Sequence, residues 1–287
     1  MQVILGFGLA FASIIVGFMM SGGKIGAFAH PPEFLMIFGT AAGALFTSTP
    51  APVIKRIISS MKGAFGKSHY DKAFFLKILK MQFDLFQVGR REGSTALEAH
   101  VENPKESSIF QNYPEFLHAA DFVSFYADTL KIVTGSSISP YDLEDMMDCD
   151  IKTQHEFDHK APTNLANIGD SFPGIGIVAA VCGIIITMGK ITAGPEVVGH
   201  QVSAALLGTL VGVWTAYGFV GPLSKKIDSD MSEHGRVFSV LKIGILNFAK
   251  GAPPAVAVEF ARRAIYQTVR PSFVEVEEAC RGQKAAE

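Results

Sequence analysis

SFPGIGIVAAVCGIIITMG, residues 171–189, is separated only by 190–200 from QVSAALLGTLVGVWTAYGFVGPL, residues 201–223. Neither run contains Asp, Glu, Lys or Arg. A helix that crosses a bilayer needs roughly 20 mostly apolar residues, so each run is long enough to cross. Two more uncharged runs lie upstream: VILGFGLAFASIIVGFMM at 3–20 and a run at 34–54 that begins FLMIFGTAAGALFTST. The competing reading is four buried helices of a soluble protein. Such helices usually carry a polar face, and these do not. The first run lacks the basic flank and A-x-A cleavage pattern of a signal peptide. The expectation is an all-α membrane protein with four transmembrane helices and a mainly helical cytoplasmic domain.

Composition agrees. The 287 residues are 48% hydrophobic and 18% charged, too apolar for disorder. A net charge of −2 gives no basic excess, so no nucleic-acid partner is expected. Cys149, Cys182 and Cys280 are scattered and odd in number, which fits a reducing compartment.

Lys and Arg orient the spans. Lys55, Arg56, Lys62 and Lys67 follow the second run, and Lys225 and Lys226 follow the fourth. The connections 21–33 and 190–200 hold one lysine each, Lys24 and Lys190, and are expected outside. Both termini are then cytoplasmic. The chain divides into spans one and two (1–50), a cytoplasmic domain (51–169), spans three and four (170–223) and a cytoplasmic tail (224–287).

The cytoplasmic part reads as helical. Phe75, Leu79, Phe83 and Phe86 keep helical spacing. Pro114 starts a helix that Gly135 ends. Ser139-Pro140 starts another, expected to stop before Pro162. Gly251, Pro253, Pro254 and Pro271 punctuate a tail of two or three helices.

HEFDH, residues 155–159, spells the H-E-x-x-H of zinc proteases, with His155 and His159 as ligands and Glu156 as general base. It closes a polar, acidic helix. No His, Cys, Asp or Glu follows Lys160 until Asp170 to complete a metal site. A solvated helix end is the better reading, and no metal, cofactor or enzymatic activity is expected.

An ion translocator usually carries an ionisable group within the membrane, and the four runs have none. Either the chain moves no ions or a partner supplies that group. Gly176, Ala180, Gly183 and Thr187 form one small-residue ridge, and Ala204, Gly208, Gly212 and Ala216 another. Such ridges let helices pack closely, within one chain or between chains. Thr209 sets a hydroxyl beside the second ridge. Pro173 interrupts the third span, and Pro222 stands at the cytoplasmic end of the fourth, where simple helix termination would account for it.

ENPKESSIFQNYP (102–114), GDSFPGIGIVAA (169–180), LLGTLVGVWTAYGFVGP (206–222) and GAPPAVAVEFARR (251–263) resemble the flagellar motor stator protein A family, MotA and its sodium-type relative PomA. The resemblance runs through almost the whole chain. It implies a homo-oligomeric ring, a pentamer, around a dimer of stator protein B, whose membrane helix brings the ion-binding aspartate. It further implies the bacterial inner membrane and contact with the rotor switch protein. Arg90 and Glu98 match the family's rotor-contact charges, Pro173 and Pro222 its coupling prolines, and Thr209 its pore threonine. Residues Thr95 to Glu98 also have capping-box spacing, which would account for Glu98 structurally. Sodium-type relatives carry a threonine where this chain has Ala180. Its alanine removes an oxygen that sodium would use, so the resemblance implies that protons rather than sodium ions are transported. The rival within the same mechanics is an ExbB- or TolQ-like energy transducer, which usually has fewer spans.

Overall fold

A computed structural model describes residues 2–66 and 70–282. Lys67, counted above among the orienting charges, and residues 283–287 of the expected tail lie outside the described residues. Among the described residues the chain is helical, without strands. It divides into two compact units, 1–67 with 157–230, and 68–156 with 231–287.

The first unit holds the apolar helices. These are α1 (Gln2–Met20), α2 (Pro31–Ser48), α3 (Ala51–Ala64), α9 (Lys160–Met188) and α10 (Pro195–Trp214). At 1.5 Å per residue α9 is about 43 Å long, more than a bilayer's hydrocarbon core needs. Among the described residues three helical stretches are long and apolar enough to cross a membrane: Gln2–Met20, Pro140–Met188 and Pro195–Ala249. The fourth expected span, α2, has 18 residues, but Pro31, Pro32, Glu33 and its hydroxyl residues lower its hydropathy.

Two hydroxyls in these helices bond to their own backbone, as an apolar solvent favours. Thr187 Oγ1 donates to the Gly183 carbonyl at 2.8 Å, and Thr47 Oγ1 to that of Gly43 at 2.9 Å. Ile37 and Ala41 of α2 pack with Phe172, Ala179, Leu207 and Val211 into the unit's core. Helix α1 buries no residue. It touches the unit through rings, Phe11 stacking on Trp214 at 5.3 Å and Phe7 edge-on to Phe219 at 5.2 Å.

The second unit is built on α4 (Lys72–Arg91), whose apolar face buries Phe75, Ile78, Leu79, Leu85 and Phe86. Asp71 caps α4 by accepting from the Phe74 amide at 2.8 Å. Next come α5 (Ser94–Glu102), α6 (Pro114–Leu117), α7 (Ala120–Gly135) and α8 (Pro140–Asp158). The helix expected to run from Pro114 to Gly135 is therefore two helices, with His118 and Ala119 between them. Helix α8 begins as expected, the Ser139 hydroxyl accepting from the Asp142 amide at 3.2 Å. It stops at Asp158, before Pro162 as expected, but Pro162 itself belongs to the next helix. The proline lies in the first turn of α9, where its missing N–H is no loss.

Helix α11 (Gly221–Ala249) packs its Val237, Leu241 and Ile245 into the same core, and Phe248 stacks on Phe86 at 4.5 Å. The tail ends in α12 (Pro254–Arg263) and α13 (Phe273–Arg281), the latter opened by a Ser272–Glu275 capping box. Gln82 is fully buried on α4. A Cβ on Gly244 would run into its amide group, so a larger residue there would require the Gln82 side chain to move.

Asp121 and His234 join α7 to α11 at 2.8 Å. Burial alone would raise the Asp121 carboxyl, but the His234 hydrogen bond and charge, with the Phe122 amide, hold it below its usual value. A depressed folded pKa contributes stability above the unfolded value, near 4, and that stability is lost as pH falls through the folded value.

Two outcomes follow from this packing. Asp121→Asn should be less stable than wild type at neutral pH, with the gap in denaturant midpoint narrowing below about pH 4; an unchanging gap would mean the pair contributes no linkage. Gly212→Leu should cost about 1–3 kcal/mol in melts of detergent-solubilised protein. Gly43→Leu should cost far less, since nothing lies within 4 Å of a Cβ there.

Candidate functional site

The two small-residue ridges meet. Gly176, Ala180, Gly183 and Thr187 of α9 are all buried, as are Ala204, Gly208, Gly212 and Ala216. A Cβ on Gly176 would lie 2.7 Å from the Gly208 carbonyl oxygen and 3.1 Å from Gly212 Cα. One on Gly212 would lie 2.6 Å from the Phe172 carbonyl, and one on Gly183 2.8 Å from Ala205 Cβ. The two backbones are therefore in contact, and the ridges serve packing within this chain.

Ala180 and Thr209 belong to this contact. Ala180 is 8% exposed, and its amide nitrogen lies 3.2 Å from where a Cβ on Gly208 would be. Thr209 is half-buried, with its Cα 3.4 Å from the Cβ position of Gly176. Thr187 makes a hydrogen bond to its own helix; no such bond to protein holds the Thr209 hydroxyl among the described residues.

Pro173 lies inside α9 and leaves the Gly169 carbonyl without its helical donor. At Gly169 a Cβ would meet Val220 Cγ1 at 2.9 Å, so Val220 occupies that space. Pro222 does not terminate a helix, contrary to the simplest reading of its position. The backbone widens to a π-helix over Thr215–Val220 and continues directly into α11. Proline has no N–H for an i→i−4 bond, and a π-bulge absorbs that defect. The Gly221 amide accordingly reaches back to the Ala216 carbonyl. Trp214 packs over Gly218, where a Cβ would lie 2.9 Å from its Cδ1.

Arg90 stands exposed in the last turn of α4, and Glu98 exposed on α5. The capping box expected at Thr95–Glu98 is not formed. Helix α5 begins at Ser94 with Gly93 as N-cap, at φ +93°, and no side chain caps it. Glu98 thus lies inside the helix with its carboxylate outward. Among the described residues neither Arg90 nor Glu98 makes an ion pair.

In HEFDH, His159 Nδ1 lies 2.8 Å from Asp228 Oδ1, and Asp158, 2% exposed, pairs with Arg56 at 2.6 Å. Among the described residues no three His, Cys, Asp or Glu side chains are grouped as metal ligands. Sequence reasoning missed these two pairings, since Arg56 and Asp228 are distant in sequence. It also missed the π segment, for which a proline continuing an apolar run without a break was the available signal.

The apolar helix pair is that of a helical membrane protein, and sequence comparison gives its class. Residues 122–238 match the MotA/TolQ/ExbB proton channel family, and residues 4–93 match the motility protein A N-terminal region. Motility protein A of Escherichia coli (strain K12) is 33% identical over 99% of this chain and 96% of its own length. The chain belongs to the motility protein A family. Its fold is shared with the C. jejuni MotAB structure, at 23% identity and TM-score 0.76 over 94% of this chain and 98% of that one. The Bacillus subtilis flagellar MotAB stator complex matches at 22% identity and TM-score 0.71, over 89% and 92%.

Exposed, unpaired charges contribute little to folding. Arg90→Ala and Glu98→Ala should each change the unfolding free energy by less than about 0.5 kcal/mol, read from denaturant melts; a larger loss would make the residue structural.

Proposed function

We propose that this chain is the A subunit of a flagellar stator, a non-enzymatic component of a proton-conducting complex that turns ion flow into torque. The observation that carries this reading is the full-length match to the motility protein A family, joined to two apolar runs, 171–189 and 201–223, that hold no Asp, Glu, Lys or Arg. The missing group would come from a membrane aspartate of a stator B subunit. With α2 counted as a fourth span and Lys and Arg flanking the spans inside, both termini would lie in the cytoplasm of a multi-pass inner-membrane protein. A homo-oligomeric ring, five copies by family resemblance, would surround the partner.

In this mechanism the carboxylate of the B subunit is loaded with a proton beside α9 and α10. Loading removes its charge and so lowers the cost of passing apolar surface. The backbone contact through Gly176, Gly208 and Gly212 lets the pair move as one body. Pro173 and the π segment before Pro222 give it a place to flex, since each interrupts regular hydrogen bonding. One charge crossing 100 mV supplies about 2.3 kcal/mol, so torque accumulates over many steps. Arg90 and Glu98 would face complementary charges on the rotor switch protein. Such exposed pairs are worth about 0–1 kcal/mol each, so the contact is shared among several. Ala180 offers no oxygen to a sodium ion, which favours protons. The same mechanics serve ExbB- and TolQ-like transducers; the match over 4–93 favours the stator.

The test is swimming in a host lacking its own stator, with this chain and its B partner expressed, as sodium is withdrawn at fixed pH. Speed should persist without sodium and collapse with a protonophore. Speed that vanishes with sodium overturns the ion assignment; absence of swimming with both proteins in the membrane overturns the stator reading.

A further inference from the structure

The buried face of α2 is Glu33, Ile37 and Ala41, spaced by four residues. Ile37 and Ala41 lie in the core with residues of α9 and α10, and Glu33 continues the same stripe one turn toward the helix start. Glu33 is 8% exposed, and its Oε2 has no hydrogen-bond partner. The ordinary explanation for an acidic residue in a first turn is that free helix amides hold it. Here the first two helical positions are Pro31 and Pro32, which have no N–H to offer.

Two imidazoles stand beside this carboxylate. His30 Nδ1 is 4.0 Å from Glu33 Oε2, too far for a hydrogen bond but close enough for charge attraction. The His30 ring lies 5.4 Å from that of His200 on α10. Other charged groups of the two connections are Lys24, Lys190 and Glu196, none of which forms an ion pair among the described residues. A buried carboxylate with an unmet oxygen is costly while charged and alone. A donor that reaches the unmet oxygen relieves that cost, and the two imidazoles are the side-chain donors beside it. His is the side chain that makes proton exchange easy near neutral pH.

We propose that Glu33, His30 and His200 form a proton-loading station at the external end of the ion path. This rests on the stator reading. A proton from external water binds an imidazole nitrogen; the His30 imidazolium gives a proton to a water bridging the 4.0 Å gap, that water gives one to Glu33 Oε2, and the imidazole returns to neutral. The carboxylic acid then gives the proton up toward the partner's membrane carboxylate and is left ionised, ready for the next. No other reactant is consumed. The station matters most when external protons are scarce, because at low pH the path fills directly from bulk water.

The test compares wild type, Glu33→Gln and His200→Gln, each with the B partner in a stator-deficient host, measuring tethered-cell rotation across external pH. Incorporation is counted with a fluorescently tagged partner. Both variants should turn more slowly than wild type, with a deficit that widens from near pH 6 to at least about threefold near pH 8, at unchanged incorporation. Glu33→Asp should recover most of the difference. A loss by one constant factor at every pH, a loss of incorporation in both variants, or no loss at all overturns the proposal. If wild type itself drives no rotation at any pH, the stator reading fails and the station falls with it; rotation of wild type with flat variant ratios removes the station alone.

Discussion

The contact that the rest depends on is backbone against backbone, α9 on α10, through glycine. Gly176, Gly208 and Gly212 bring carbonyl oxygens and Cα atoms of one helix to within van der Waals reach of the other. Water expulsion drives little association in a bilayer, so close packing and its dispersion energy must hold the helices. Any side chain at these positions would push the pair apart. The α2 residues Ile37 and Ala41 pack against the same pair, and Phe11 of α1 stacks on Trp214 at its end. A tight pair is also a stiff one, which places flexibility at its interruptions, Pro173 and the π segment Thr215–Val220.

Stiffness and neutrality work together. The runs 171–189 and 201–223 of this pair hold no Asp, Glu, Lys or Arg, so they can sit in lipid and beside another apolar helix without an unpaired charge to satisfy. The charges of the first unit lie instead near helix ends: Glu33 at the start of α2, and Arg56–Asp158 and His159–Asp228 where α3, α9 and α11 carry polar sequence. The unpaired charges Arg90 and Glu98 belong to the second unit, where they cost the fold nothing.

Much of this was legible in the sequence. Hydrophobic runs separated α1, α9 and α10 from the polar helices, and Phe75, Leu79 and Phe86 traced the buried face of α4. The ridges were visible by spacing, though spacing could not say that they face each other. Pro222 misled, because a proline after an apolar run reads as a stop, whereas the backbone widened and went on. Thr95–Glu98 misled likewise, because helix α5 starts two residues earlier, with a glycine as its N-cap providing the turn. Glu33 escaped notice because it stands one residue before the run at 34–54, and burial of a single carboxylate is a tertiary fact. His159 was noticed for the wrong chemistry: its partner, Asp228, is on another helix.

The central claim is that this chain shapes an ion path whose essential carboxylate it does not own. The most direct measurement is proton flux into liposomes under a fixed potential, with this chain alone, with its B partner, and with a partner whose membrane aspartate is replaced by asparagine. Flux should appear only with the intact partner. Flux from this chain alone, or with the asparagine partner, would contradict the claim.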